Sequence, residues 1–145
     1  LEIFELVDTL STDRTDLNVL IVDDEQTIQN LVKSVLISMG IRKIDIVSDG
    51  RAALQAVAKK TQASDAINVI ICDWDMPVMD GISFVEAFRK TDEKAVIIMV
   101  TARNSTTDFN IAKQKGADYF FMKPLEANML KIRLGGALDA AVSRI

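Results

Sequence analysis

Between residues 18 and 134, five short apolar runs alternate with longer segments whose apolar residues recur at helical spacing. A strand that is apolar almost throughout needs both faces covered, and helices placed between successive strands supply the crossovers of a parallel sheet. The runs are "VLIV" (19–22), "IDIV" (44–47), "INVIIC" (67–72), "AVIIMV" (95–100) and "DYFFM" (118–122). After the first, Ile28, Leu31, Val32, Val35, Leu36 and Met39 form a one-sided helical stripe that stops at Gly40. An Ala-rich helix follows Ser48-Asp49-Gly50 to about Lys60, and Ile82, Phe84, Val85 and Phe88 mark the next. A fourth helix runs from about Thr106 to Lys115 and stops at Gly116, and the last begins after Lys123-Pro124. The pattern predicts five βα units and a parallel α/β sheet.

Two segments lie outside that count. In residues 1–16, Ile3, Phe4, Val7 and Leu10 share a helical face and "STDRTD" follows, which reads as a short helix and a polar connector. In residues 135–145 the apolar period continues past Gly135 and Gly136, each costing a helix interior about 1 kcal/mol relative to Ala. This tail reads as the end of the last helix or as a connector to a missing domain. The first residue is Leu, which suggests a trimmed chain or an excised domain.

Composition removes several classes of function. With 49% apolar residues and two prolines, disorder is disfavoured. Seventeen basic against 21 acidic residues leave a net charge of −4, with no electrostatic footprint for nucleic acid or a membrane surface. Cys72 is the one cysteine, so there is neither an intrachain disulfide nor a thiol cluster for zinc, and a reducing, cytoplasmic compartment fits. The chain has no histidine, which excludes Ser-His-Asp and Cys-His catalysis and histidine metal sites together.

What remains is carboxylate, lysine and hydroxyl chemistry, and it gathers at the strand ends. Ligands of parallel α/β sheets bind outside the carboxyl ends of the strands. There the chain places Asp23 and Asp24, Asp73 and Asp75, Thr101 and Lys123. An isolated acid at such a position is most often an N-cap. Adjacent carboxylates about 5 Å apart repel by roughly 3 kcal/mol at an effective dielectric near 20, however, so the Asp23-Asp24 pair calls for compensation. A hard cation supplies it: Mg2+, or Mn2+ in its place, takes oxygen ligands, one or two of them carboxylates beside a phosphate oxygen. Asp24 and Asp73 suit such an ion. A carboxylate so placed can also attack a phosphoryl group, with Lys123 neutralising charge, Thr101 donating to a phosphoryl oxygen and Ala102 small enough to leave room.

"LIVDDEQ", "IICDWDMPVMDG", "IIMVTA" and "GADYFFMKP" resemble the motifs of the response regulator receiver domain of two-component signalling, including its single-domain chemotaxis members, over residues 17–134. The resemblance implies a single doubly wound, flavodoxin-like (βα)5 domain with strand order 2-1-3-4-5. It implies a phosphoacceptor domain that takes a phosphoryl group from a histidine kinase or phosphotransfer protein, not a turnover enzyme. Asp73 would be the phosphoacceptor, Asp24 and Asp73 direct magnesium ligands, Asp23 a ligand through water, and Asp75 a ligand through its backbone carbonyl. Thr101 and Lys123 would contact the phosphoryl oxygens, and Lys123-Pro124 would be cis. Thr101 and Phe120 would form the switch pair that remodels the surface of helix 4, strand 5 and helix 5 for an output partner or a homodimer. Here the aromatic is Phe, so a switch relying on a tyrosine hydroxyl does not carry over. Asp75 and Arg103 occupy positions that tune phosphoryl lifetime in the family.

Other residues have plainer readings. Trp74 reads as a partly exposed loop residue and Gly81 as the residue that permits the turn into the third helix. Two further classes compete. "DWD" after an apolar strand also resembles the nucleophile motif of haloacid-dehalogenase-type phosphatases, but in those the acid pair comes last in the chain, and position 77 is Pro where Thr is common. A non-phosphorylated scaffold receiver typically lacks an acid, the Thr or the Lys, and none is missing.

Overall fold

The structure, a computed structural model, describes residues 14–145. After a 3-10 turn at Arg14–Asp16, the elements are β1 (Asn18–Val22), α1 (Gln26–Ser38), β2 (Lys43–Val47), α2 (Gly50–Gln62) and β3 (Val69–Cys72). There follow α3 (Gly81–Arg89), β4 (Val96–Thr101), α4 (Thr106–Lys115), β5 (Tyr119–Met122) and α5 (Ala127–Ser143). All strand pairs are parallel and the order is β2-β1-β3-β4-β5, the doubly wound sheet implied by the motifs. The helix expected in residues 1–16 falls, for residues 1–13, outside the described residues.

Strand alternation splits the core into two layers. Val19, Ile21, Val69, Ile71, Val96, Ile98, Val100 and Phe121 face α1 and α5. Leu20, Val22, Ile70, Cys72, Ile97 and Met99 face α2, α3 and α4, with Phe120 packed against them. The central strands β1, β3 and β4 are buried along their whole length, as near-continuous apolar runs require.

Strands β3, β4 and β5 start one or two residues after their apolar runs begin. At two of these starts a polar side chain adds to the backbone pairing: the Asn68 side-chain oxygen accepts the Asn18 N–H at 2.8 Å, and the Asp118 carboxylate accepts the Ile97 N–H at 2.9 Å. Helix α5, in contrast, runs unbroken through Gly135 and Gly136 to Ser143. Leu130, Leu134, Ala137, Leu138 and Ala141 are buried along it, and burial of each large side chain contributes roughly 1.5–3 kcal/mol, enough to offset both glycines. Among the described residues no helix is long and apolar enough to cross a membrane.

Register levels the strand ends. Val22 pairs with Cys72, Cys72 with Met99, and Met99 with Phe120, so the residues just beyond this row form one rim.

Candidate functional site

Backbone hydrogen bonds hold that rim. The Asp23 N–H donates to Val47 O (3.1 Å), the Asp73 N–H to Val22 O (2.8 Å) and the Lys123 N–H to Thr101 O (2.8 Å). The strand-end acids are not helix caps. Asp49, Asp80, Ser105 and Glu126 cap α2, α3, α4 and α5 with their side chains, while α1 starts from Glu25, whose side chain makes no capping bond.

Asp23 and Asp73 are 2% and 5% exposed, low enough that their charges need partners. Lys123 Nζ provides one, 3.0 Å from Asp73 Oδ2 and 3.2 Å from Asp23 Oδ2, with Glu25 Oε1 at 3.6 Å. The other oxygens are also engaged: Asp23 Oδ1 accepts the Glu25 N–H (2.9 Å) and Asp73 Oδ1 the Trp74 N–H (2.7 Å). Burial pushes the Asp23 carboxyl above its ordinary value, with the Asp73 charge adding to it, and the Glu25 N–H and Lys123 only partly offset that. For Lys123, burial favours the neutral amine, but the bond to Asp73 and the charges of Asp23 and Asp73 outweigh it and raise its pKa.

One ammonium therefore serves three carboxylates. Ligand oxygens of Asp23, Glu25 and Asp73 all lie within 4.8 Å of one another. An all-oxygen donor set with an excess of negative charge fits a hard divalent cation. Glu25 was not singled out in the sequence, although an acid directly after the pair, at a helix start lacking its own side-chain cap, is the signal that points to it. Asp24 is exposed and stands outside this group. The repulsion inside the site is consequently between Asp23 and Asp73 rather than within the adjacent pair.

Thr101 is fully buried, and its Oγ1 accepts the Arg103 N–H at 3.3 Å. It shares a sheet face with Phe120: Thr101 pairs with Met122 and Met99 with Phe120, so the two lie diagonally on neighbouring strands. Phe120 meets Phe109 of α4 edge-on, at 5.8 Å between centroids. Asp75 turns its side chain outward, where Arg103 grips both carboxylate oxygens at 2.8 and 3.0 Å. The pairing with Arg103 holds the Asp75 carboxyl below its usual range. The Lys123-Pro124 peptide is cis.

One reading is corrected and a second gains its physical reason. Trp74 is 6% exposed, not a half-exposed loop residue, because it packs into the α2–α4 layer and Arg103 lies over its ring at 4.4 Å. Gly81 does open α3, but what demands glycine is close approach: a Cβ there would lie 1.9 Å from the Asp73 carbonyl oxygen.

A doubly wound α/β domain with two buried carboxylates and a lysine at the carboxyl rim of its sheet defines a phosphoryl-accepting class of protein. The family model described as the response regulator receiver domain matches residues 19–134, and the chain belongs to that family. It is 30% identical over 121 residues to the chemotaxis protein CheY-3 of Vibrio cholerae, covering 82% of this chain and 89% of that protein. Among solved structures it resembles the CheX-CheY-BeF3-Mg complex of Borrelia burgdorferi at 31% identity and TM-score 0.73, covering 83% of this chain and 87% of that one. The receiver domain protein of Methanospirillum hungatei matches at 26% identity and TM-score 0.75, covering 86% and 95% of the two chains. As a receiver the chain is a Mg-dependent phosphoacceptor domain of two-component signalling rather than an enzyme turning over a separate substrate.

Proposed function

We propose that Asp73 is the residue that takes the phosphoryl group from a histidine kinase or phosphotransfer protein, and that Lys123 and Thr101 hold its oxygens. The observation that carries this reading is Lys123 Nζ at 3.0 Å from the Asp73 carboxylate in a nearly closed setting. A cation stands beside the oxygen where charge gathers during transfer, and it needs no reorganisation to act. An Asp73 oxygen attacks phosphorus as the bond from phosphorus to the donor imidazole breaks, and the donor nitrogen keeps the electron pair. Hydrogen bonds from Trp74 and Lys123 fix the orientation of the attacking carboxylate.

When bound, Mg2+ or Mn2+ supplies Lewis-acid neutralisation of the phosphoryl oxygens. The residues that would hold it are Asp73, Asp24 directly, Asp23 through water and the Asp75 carbonyl, with Glu25 bearing on Lys123. Thr101 starts buried, so its hydroxyl reaches the phosphoryl group only as the β4–α4 loop moves. Phe120, on the same face, follows it and changes the α4–β5–α5 surface that an output partner or a second copy binds. The setting is cytoplasmic, without nucleic-acid or membrane contact by this domain.

The test is incubation with a small acyl phosphate and Mg2+, read by mass spectrometry, beside a beryllofluoride titration read by Trp74 fluorescence. A single adduct on Asp73, absent in Asp73→Asn, is expected. An adduct elsewhere removes the assignment, no response at either step favours a scaffold receiver, and steady turnover of phosphate monoesters favours a phosphatase.

A further inference from the structure

Asp24 differs from the other acids of the rim in what holds its side chain. Asp23, Glu25 and Asp73 are tied to Lys123, and Asp75 to Arg103, whereas Asp24 is exposed and its carboxylate makes no hydrogen bond or ion pair among the described residues. Its direction is set by the backbone alone. Two peptide planes flank Asp24, and a side chain pins each of them. The plane after it is held where the Glu25 N–H donates to Asp23 Oδ1 at 2.9 Å. The plane before it is held by Gln29, whose Nε2 donates to the Asp23 carbonyl oxygen at 2.5 Å.

Gln29 lies in the first turns of α1 and is half-buried, and its own backbone N–H donates to Glu25 O at 3.0 Å. One residue thus grips the carbonyls on both sides of Asp24. The strand side of the same turn is fixed where the Asp23 N–H meets Val47 O at 3.1 Å. Glu25, at the start of the helix, makes no capping bond that could take over from Gln29. The amide also suits its surroundings chemically, because it donates without carrying charge. A lysine or arginine in its place would repel a cation, and a glutamate would repel the Asp23 carbonyl.

We propose that Gln29 is a positioning residue for the divalent cation: by fixing the Asp23–Asp24 peptide it sets the direction in which Asp24 offers its carboxylate, and so makes the site favour Mg2+ over Ca2+. This rests on Asp24 as a direct metal ligand, the reading given above. Mg2+ demands near-octahedral oxygens at about 2.0–2.1 Å, whereas Ca2+ accepts oxygens at about 2.3–2.6 Å in flexible arrangements. A carboxylate on a loosened peptide still serves the larger ion and fails the smaller one. Loss of the Gln29 amide therefore costs selectivity before it costs binding.

Titrations of the full chain with Mg2+ and with Ca2+, followed through the amide signals of Asp24 and Trp74, test this without any phosphoryl group. In Gln29→Met, which keeps the length and loses the donor, Mg2+ affinity is expected to fall about tenfold, as when a group orienting a metal ligand is removed. Ca2+ affinity should fall only about twofold, so the preference for Mg2+ drops about fivefold. Gln29→Lys returns a donor to the Asp23 carbonyl. Its added charge weakens both cations alike, and the Mg2+/Ca2+ ratio should stay within about twofold of the parent. Before any metal is added, the Asp24 amide signal should move in Gln29→Met while those of β3 and β4 stay in place. Equal weakening of both cations in Gln29→Met overturns the proposal, and so does an unmoved Asp24 signal or a ratio lost in Gln29→Lys. A Gln29→Met chain that no longer folds overturns it too, since the amide would then be structural. A parent that binds neither cation, or an Asp24→Asn chain that binds Mg2+ as tightly as the parent, removes instead the metal-ligand reading beneath it.

Discussion

A Cβ on Gly81 would stand 1.9 Å from the carbonyl oxygen of Asp73. The first residue of α3 thus lies directly against the backbone of Asp73, and the Gly81 N–H donates to Trp74 O at 2.8 Å to close the contact. Gly81→Ala is expected to lower stability by about 3 kcal/mol, the upper end for overpacking, because the obstacle is backbone rather than a flexible side chain. Urea unfolding checks this, and a stability within about 0.5 kcal/mol of the parent would show that the loop yields.

The division of labour between Asp24 and Glu25 is open to a direct comparison. Asp24→Asn should weaken Mg2+ binding about tenfold or more, as loss of a carboxylate at a metal site does. Glu25→Gln should cost only about threefold, since its side chain is 58% exposed and acts through Lys123. Quenching of Trp74, whose N–H bonds the Asp73 carboxylate, reports both titrations. The reverse order would make Glu25 the direct ligand.

Without metal, Asp23→Asn should leave the fold as stable or raise its stability by about 1 kcal/mol. A carboxyl whose pKa is raised by burial ionises less readily folded than unfolded, so its charge opposes folding at neutral pH. The amide oxygen can still accept the Glu25 N–H, and Lys123 keeps Asp73. Denaturation in chelator measures the effect, and a loss of several kcal/mol would mean that the Asp23–Lys123 pair holds the site together.

Acid sensitivity has a source away from the site. The Asn18 side chain, helped by Lys43 and Lys60, holds the Asp65 carboxyl below its ordinary value of 3.8 against some desolvation. A lowered folded pKa gives stability present above the unfolded pKa and lost as pH falls through the folded one. The stability gap between the parent and Asp65→Asn should therefore be full near pH 6 and shrink once pH drops below about 4. A gap independent of pH would assign it to the Asn18 bond alone.

Much of the fold is legible in the sequence. Apolar runs and helical stripes placed all five βα units, because a parallel sheet buries both faces and so writes itself in consecutive residues. What the sequence does not reveal has one physical origin. Trp74, Glu25 and Gly81 owe their positions to groups far away in sequence: the Arg103 guanidinium, the Lys123 ammonium and the Asp73 carbonyl. At the starts of β3 and β5, likewise, Asn68 and Asp118 add side-chain bonds to the neighbouring strand that no periodicity reveals.

Strand β5 is four residues long and forms the edge of the sheet, and it sends Phe120 into one layer and Tyr119 and Phe121 into the other. Phe120 leans on Phe109 of α4, while Phe121 sits beneath Arg133 of α5. Were the strand to tilt, Phe120 and Phe121 would move together, because adjacent residues point to opposite faces of one short strand. A partner gripping α5 and a partner gripping α4 would then be rivals through mechanics even where their footprints never overlap.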